Sequence, residues 1–278
     1  MIRLGVALVA ALVIPAASAQ RQAPSLQRIV VIVFENKEYG AVLGNAKAPT
    51  FNRMAQRYAT LTRYYGVTHP SLPNYLALVS GSTHGITSDC TNCELDGPTL
   101  ADPLERAGKT WKLYAEGLPA PGFAAPGYDG YAKKHDPFMY FRSVLDNPQR
   151  AKRVVPLEQL RIDERAHALP DFSFVVPNLC HSMHDCSVQT GDSWLRAYLP
   201  PLLALPRTVV LVVFDEGTTS ARGGGHVPAL ALGASVKPHS RYAAVTNHYG
   251  LLRTIEDAWG LARLGRSSAA RPIIGIWR

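Results

Sequence analysis

The sequence lacks most of the short motifs that identify familiar enzyme classes. It contains no G-x-x-x-x-G-K-[ST] phosphate loop, no H-E-x-x-H metal motif and no G-x-G-x-x-G after its first predicted strand. The G-x-S-x-G turn of α/β-hydrolases is also missing, since residues 81–85 (GSTHG) only imitate it. Enzymes that depend on these motifs are therefore disfavoured.

Charged residues are also scarce, at 18% of 278 residues, whereas 47% are hydrophobic. This composition excludes a disordered chain, and a chain of this length can bury roughly 75% of its unfolded surface. Neither an internal repeat nor a low-complexity linker is present. Lysine and arginine exceed aspartate and glutamate by 29 to 21, and the net charge of +8 favours anionic substrates in a salt-sensitive manner.

Apolar runs long enough to cross a membrane are absent, and the N-terminal run is short. A positive start (residues 1–3) precedes apolar residues 4–14 and the small residues 17–19 (ASA). This pattern predicts a secretory signal peptide over residues 1–19 and a single domain over residues 20–278. The protein is then exported to the periplasm or the extracellular space without stable membrane anchoring. The alternative is an ordinary hydrophobic strand or helix at the N-terminus.

Only four cysteines are present, in two close pairs, Cys90 with Cys93 and Cys180 with Cys186. In an oxidising compartment this arrangement favours two local disulfides. A four-thiolate zinc site and a redox-active C-x-x-C are the alternatives, and the sequence does not choose among the three possible pairings.

Hydrophobic strands alternate with helices along the chain. The β-branched runs Arg28–Phe34 and Thr208–Phe214 predict strands buried on both faces. Further strands are predicted at Tyr64–Thr68, Thr110–Ala115 and Phe172–Val176, and helices at Pro49–Tyr58, Pro73–Ser80 and Val245–Ala258. This alternation predicts an α/β fold with a mostly parallel central sheet and helices on both faces. Residues 117–153, rich in Pro, Gly and Tyr, are interpreted as an insertion or lid over the site.

Polar residues directly follow the two strongest predicted strands. Glu35 and Asn36 follow the first, and Asp215 and Glu216 follow the second. Ligands bind beyond the carboxyl ends of strands in open α/β sheets, and three adjacent carboxylates repel one another unless a cation lies between them. We therefore expect one divalent ion there; oxygen ligands suit Ca²⁺, Mg²⁺ or Mn²⁺, and Zn²⁺ is not excluded. The alternative is a set of solvated strand ends and helix caps.

A proline-flanked serine lies in residues 68–81 (THPSLPNYLALVSG). Ser71 is predicted to fall in a tight turn just ahead of a helix, where free N–H groups favour an anion. Activation by His69 or by a metal ion would make Ser71 a nucleophile. Taken alone, the residue is more typical of a helix cap.

Histidines cluster near other predicted strand ends. His181 and His184 follow the strand that ends near Asn178, His226 follows three glycines, and His135 lies in the segment KKHDPF. At such positions histidine acts as a metal ligand, as an acid or base, or as a donor to a bound anion. Each one alone is more often a surface or capping residue.

In combination, these segments resemble the bacterial phosphoesterase family of acid phosphatases and phosphocholine-type phospholipases C, which belongs to the alkaline phosphatase superfamily. The matching segments, in chain order, are VIVFEN, THPSLPNYLALVSGS, PNLCHSMHDCSV, FDEG, GGGHVP and NHYGLLRTIEDAWGL. They extend over nearly the whole mature chain, so the resemblance implies an alkaline-phosphatase-like fold.

The resemblance also implies a role for each residue singled out above. One divalent ion is held by Glu35, Asn36, Asp215 and Glu216. Ser71 attacks phosphorus to form a covalent phosphoserine, with His184 and His226 as further catalytic residues. The phosphoryl group is contacted by Asn74, His69, His181 and His135.

The function implied by the resemblance is that of a secreted, metal-dependent phosphatase that hydrolyses small anionic phosphomonoesters, with no nucleic-acid partner. A phospholipase C-type phosphodiesterase is the close alternative, because tyrosines between Tyr114 and Tyr140 could form an aromatic cage for choline. Two more distant alternatives are a serine esterase, using Ser71 with a histidine and Asp215 or Asp185, and a non-catalytic exported protein that binds anions.

Overall fold

The computed structural model describes residues 26–278, so the predicted signal peptide lies outside the described residues. The strands are β1 (Arg28–Phe34), β2 (Ala59–Leu61), β3 (Tyr64–Tyr65), β4 (Trp111–Ala115), β5 (Gly127–Tyr128), β6 (Tyr131–Ala132), β7 (Val154–Pro156), β8 (Phe172–Val176), β9 (Thr208–Phe214), β10 (Ala229–Leu232), β11 (Ser240–Tyr242) and β12 (Thr246–Asn247). The helices are α1 (Tyr39–Val42), α2 (Pro49–Arg57), α3 (Ser71–Ser80), α4 (Ala101–Arg106), α5 (Arg142–Leu145), α6 (Pro148–Ala151), α7 (Glu158–Arg165), α8 (Val188–Ala204) and α9 (His248–Trp259). Short 3₁₀ turns lie at Lys133–His135, Pro137–Tyr140 and Gly265–Ala269.

Eight strands form one sheet in the order β11-β2-β10-β9-β1-β8-β4-β7. Every neighbouring pair from β9 to β7 is parallel, whereas β10 is antiparallel to both of its neighbours. Helices α2 and α8 pack together and against β10 and β9, while α3 packs against α9 and the first two 3₁₀ turns. The predicted α/β fold with a mostly parallel sheet is confirmed.

The two central strands end at the same level of the sheet. Nearly every residue of β1 and every residue of β9 is buried, as their uninterrupted apolar runs predicted. They pair in register from Arg28 with Thr208 to Phe34 with Phe214. Because the register is exact at the carboxyl end, Glu35 and Asp215 leave the sheet side by side.

Three predicted boundaries differ from the structure by two or three residues. Helix α3 begins at Ser71, two residues early, with Pro70 at the N-cap position. The strand predicted at Tyr64–Thr68 ends at Tyr65, because the N–H of Gly66 donates to the Gly225 carbonyl. Helix α9 begins only at His248, because the two preceding residues pair with β3 as strand β12.

The region predicted as an insertion or lid is in part core. The side chains of Phe138, Met139, Tyr140 and Phe141 in this region are at most 1% exposed. Residues 117–153 therefore pack into the domain and carry Lys134 and His135 to the carboxyl end of the sheet. Within residues 26–278, no helix has both the length and the hydropathy needed to cross a bilayer.

Candidate active site

Three carboxylates follow the central strands and are withdrawn from solvent. Glu35 and Asp215 are fully buried and Glu216 is 6% exposed. The main-chain N–H of Asn36 donates to Asp215 Oδ1 at 3.1 Å. Asn36 has a φ of 53°, a left-handed conformation that asparagine tolerates, so the chain turns sharply after Glu35. The predicted metal ligands Glu35, Asn36, Asp215 and Glu216 therefore lie together.

Burial and mutual repulsion strongly disfavour charge on this carboxylate cluster. Burial, followed by the charge of Asp215, raises the pKa of Glu35 well above its usual value. Burial likewise raises the pKa of Asp215, and burial with the Asp215 charge raises the pKa of Glu216 to about 7. Without a cation, charge on all three carboxyl groups at once is therefore unfavourable near neutral pH.

Ser71 faces this cluster from the first residue of α3. Its hydroxyl donates to Glu35 Oε2 at 3.1 Å, and the residue is 1% exposed. The interpretation of Ser71 as a helix cap is wrong, because Pro70 takes the cap position and the hydroxyl binds a carboxylate. The next main-chain N–H, that of Leu72, donates to Asp89 Oδ1 at 2.9 Å.

Two aromatic residues that contact Glu35 complete the buried wall of the cluster. The Tyr75 hydroxyl, one helical turn after Ser71, donates to Glu35 Oε1. Its ring stacks on His135 with centroids 5.1 Å apart, and His135 Nε2 lies 3.3 Å from Glu35 Oε1. Burial, with Lys134 and His184 adding to it, lowers the pKa of His135 well below its usual value. A neutral imidazole is the form of histidine that binds metals.

The turn before α3 is tied to Glu216 by His69 and Asn74. His69 Nδ1 lies 2.8 Å from Glu216 Oε2, and its Nε2 lies 3.0 Å from the Thr219 carbonyl. The Asn74 amide donates to the Thr68 carbonyl at 2.8 Å and to Glu216 at 3.3 Å. Its oxygen accepts from the Val67 N–H at 2.8 Å. Asn74 is therefore engaged in shaping the turn that presents Ser71.

His184 approaches the cluster from the loop after β8. Its Nδ1 lies 2.6 Å from Asp185 Oδ1, and its Nε2 lies 3.1 Å from Lys134 Nζ. Because an ammonium group has no acceptor, this contact requires Nε2 to accept and Nδ1 to donate to Asp185. Ligand atoms of Glu35, His135 and His184 all lie within 4.8 Å of one another.

The hydrogen bonds of the other two predicted histidines lead away from the carboxylates. His181 Nδ1 lies 2.9 Å from both oxygens of Glu116, which follows β4 as Glu35 follows β1. His226 Nε2 lies 3.0 Å from the Thr62 carbonyl. Its ring stacks on Tyr39 at 4.6 Å. The structure therefore brings eight of the predicted residues together beside Asn36, and the contacts given for His181 and His226 do not reach them. The eight are Glu35, His69, Ser71, Asn74, His135, His184, Asp215 and Glu216.

A divalent cation fits the chemistry of this cluster. Among the described residues, Asp215 Oδ2 and His135 Nε2 are buried polar atoms without a hydrogen-bond partner. Unsatisfied buried polar atoms are costly, and a bound cation would satisfy both. Carboxylate oxygens combined with imidazole nitrogens suit Zn²⁺ or Mn²⁺ as well as the harder ions. The site is thus chemically suited to a metal, which the sequence predicted from oxygen ligands alone.

Both predicted local disulfides are confirmed, and each closes a loop beside the site. Cys90 pairs with Cys93 next to Asp89. Cys180 pairs with Cys186 around the segment that carries His181 and His184. The alternative of a four-thiolate zinc site is thereby wrong.

Comparison with known proteins assigns the chain to a family. The model of the Phosphoesterase family matches residues 43–262, and the chain belongs to that family. A phosphatidylinositol-3-phosphatase of Mycobacterium tuberculosis is 35% identical over 260 residues, which cover 91% of this chain and 84% of the relative. A probable acid phosphatase of Kluyveromyces lactis is 29% identical over 91% of this chain, which spans only 62% of that relative. The haemolytic phospholipase C of Pseudomonas aeruginosa is 24% identical, and the match covers 32% of its length.

Solved structures show the same fold at low sequence identity. A protein of the alkaline phosphatase superfamily from Vibrio parahaemolyticus superposes with a TM-score of 0.61 at 16% identity, covering 90% of this chain and 71% of its own. A lipoteichoic acid synthase from Listeria monocytogenes gives 0.62 at 10% identity, covering 91% and 75%. The alkaline-phosphatase-like fold is confirmed, and with the family assignment so is the prediction of a hydrolase that acts on phosphoric esters.

Proposed function

We propose that the protein is an exported, metal-dependent phosphatase that hydrolyses phosphomonoesters through a covalent phosphoserine on Ser71. The observation that carries the proposal is the Ser71 hydroxyl, which donates to Glu35 inside a buried carboxylate cluster at the strand ends. The substrate class is supported by the M. tuberculosis and fungal relatives, whose names describe phosphatases.

The residues that would hold the cation are those of the carboxylate cluster. Glu35, Asp215 and Glu216 supply oxygens, Asn36 lies beside Asp215, and His135 offers a nitrogen. A divalent ion bound there would polarise the phosphoryl group and favour the ionised form of the serine hydroxyl. The raised pKa values of the carboxyl groups are then reversed by the charge of the ion.

The reaction proceeds in two displacements at phosphorus. Ser71 Oγ attacks phosphorus and gives its proton to the carboxylate it already contacts, while the bond to the leaving oxygen breaks. One of the histidines predicted for this role, His184 or His226, protonates the leaving oxygen. A water molecule then attacks the phosphoserine and gives a proton to that histidine, while the Ser71 Oγ–phosphorus bond breaks and Ser71 Oγ takes back the proton held by the carboxylate. His69, Asn74, His135 and His181 are the residues proposed to orient the phosphoryl group, directly or through their neighbours.

Hydrolysis of p-nitrophenyl phosphate and of p-nitrophenylphosphocholine, with and without EDTA, tests the proposal. We expect turnover of the monoester that EDTA abolishes and added metal restores. Ser71→Ala should fold normally and bind metal but lose turnover. Preference for the choline diester would instead support a phospholipase C-type phosphodiesterase. Retained activity in a metal-loaded Ser71→Ala variant would show that Ser71 is not the nucleophile.

Export is the second part of the proposal. The N-terminal pattern at residues 1–19 and the two disulfides support it, and the remaining residues 20–278 form the single enzymatic domain that we propose. N-terminal sequencing of protein recovered from the periplasm or medium should find a start near Gln20. Recovery of an uncleaved chain in the cytosol would contradict export.

A further inference from the structure

We propose that Lys134 binds the phosphoryl group of the substrate and sets a preference for phosphomonoester dianions over phosphodiester monoanions. This inference rests on the proposed function and names its substrate class more closely. Lys134 was not among the residues that the sequence singled out.

The position of Lys134 links it to both sides of the site. Its Nζ lies 2.9 Å from Asp89 Oδ2 and 3.1 Å from His184 Nε2. Asp89 uses its other oxygen to accept the N–H of Leu72, the residue after Ser71. One carboxylate therefore connects the ammonium group to the main chain beside the Ser71 hydroxyl.

Lys134 retains capacity for a ligand. An ammonium group has three N–H donors, and the two contacts above use two of them. The side chain is 20% exposed, so the third donor has access to the solvent side of the site.

The charge of Lys134 is suited to one class of phosphate ester. A monoester presents a second ionised oxygen where a diester carries an alkyl group, so its dianion gains a charged hydrogen bond that the diester cannot make. Lys134 stands among acidic groups, where an added dianion is repelled unless a cation faces it. A charge-assisted hydrogen bond of this kind corresponds to roughly a 10- to 100-fold difference in affinity.

The test compares Lys134→Gln with wild type on a monoester, p-nitrophenyl phosphate, and a diester without a cationic group, methyl p-nitrophenyl phosphate. We expect kcat/KM for the monoester to fall roughly 10- to 100-fold and that for the diester to change less than about threefold. Lys134→Arg should restore part of the monoester activity, because it restores the charge. Binding of inorganic phosphate to the metal-loaded protein, measured by calorimetry, should weaken by a similar factor in Lys134→Gln.

Lys109→Gln is the matched control. Lys109 forms an ion pair with Asp171 at 3.2 Å, and both side chains are 25% exposed, close to the 20% and 27% of Lys134 and Asp89. This pair lies just before β4 and β8, at the amino ends of the strands, whereas the site lies at their carboxyl ends. Neither the monoester-to-diester ratio nor phosphate binding should change in this variant.

Equal loss of both activities in Lys134→Gln, with unchanged phosphate binding, would show that Lys134 only holds Asp89 and His184 in place and would overturn the inference. Failure of the wild type to hydrolyse either ester would instead overturn the proposed function. In that case the calorimetric comparison still decides the role of Lys134, because it requires no turnover.

Discussion

Replacement of Tyr75 by phenylalanine removes a single hydroxyl group from the wall of the carboxylate cluster. That hydroxyl donates to Glu35 Oε1, and the side chain is fully buried. Phenylalanine keeps the ring and its stacking on His135, so the substitution isolates the hydrogen bond. We expect Tyr75 to act as a positioning residue for the metal ligand Glu35.

Two effects of different size follow from this geometry. Burial disfavours charge on Glu35 in the metal-free protein, so the hydrogen bond there joins neutral groups, and its loss should lower the free energy of unfolding by about 1 kcal/mol. Loss of a group that orients a metal ligand typically weakens metal binding about 10- to 100-fold. The hydroxyl also lowers the pKa of Glu35, so without it the carboxylate form that binds metal becomes less favourable.

Chelator-buffered metal titration, together with urea unfolding of the metal-free protein, measures both effects. Tyr114→Phe is the control, since Tyr114 is also fully buried and its hydroxyl donates to Asp163 Oδ2 at 2.7 Å, away from the carboxylate cluster. The control should lose stability but keep its metal affinity. Unchanged metal affinity in Tyr75→Phe, or an equal loss in both variants, would refute the assignment of Tyr75 as a positioning residue.

Two further substitutions test the packing and the electrostatics of the fold. Burial raises the pKa of Glu256 to about 7 from 4.5, so its contribution to stability is full below about pH 4.5 and is lost as the pH rises through about 7. Between about pH 5 and about pH 8, the free energy of unfolding of the wild type, measured in urea, should therefore fall by about 2 kcal/mol relative to that of Glu256→Gln. A difference that stays constant with pH would contradict the effect of burial. In Gly66→Ala the new Cβ would lie 2.6 Å from the carbonyl oxygen of Gly224 and 2.9 Å from that of Asp215. These contacts are too short, so the free energy of unfolding, measured by thermal unfolding, should fall by about 1 to 3 kcal/mol. Gly40→Ala, which meets nothing within 4 Å, should be nearly neutral; equal losses in both glycine variants would argue against the close approach.

The centre of the site could be predicted because two runs of residues strongly indicate buried strands. Every position from Ile29 to Phe34 and from Thr208 to Phe214 is apolar or β-branched, which is typical of strands buried on both faces. Parallel pairing then brings Glu35 and Asp215 to one edge without any knowledge of loops. Glu116 could have been found by the same logic, because it directly follows β4.

Contacts between distant parts of the chain could not be predicted in this way. Tyr75 becomes a partner of Glu35 only through the packing of α3 on the sheet. Lys134 and Asp89 are 45 residues apart and meet because the region predicted as a lid is anchored by buried aromatic residues. The surroundings of His226, set by the Thr62 carbonyl and Tyr39, depend on loops that follow no period.

Trapping of the covalent intermediate shows whether Ser71 is the nucleophile. Metal-loaded protein would be mixed with an excess of p-nitrophenyl phosphate, quenched in acid during turnover and digested for mass spectrometry. We expect one added phosphoryl group on the peptide that contains Ser71, absent when EDTA is present and absent in Ser71→Ala. Steady turnover with no phosphoryl group on this peptide, together with full activity of Ser71→Ala, would contradict the role of Ser71 as the nucleophile.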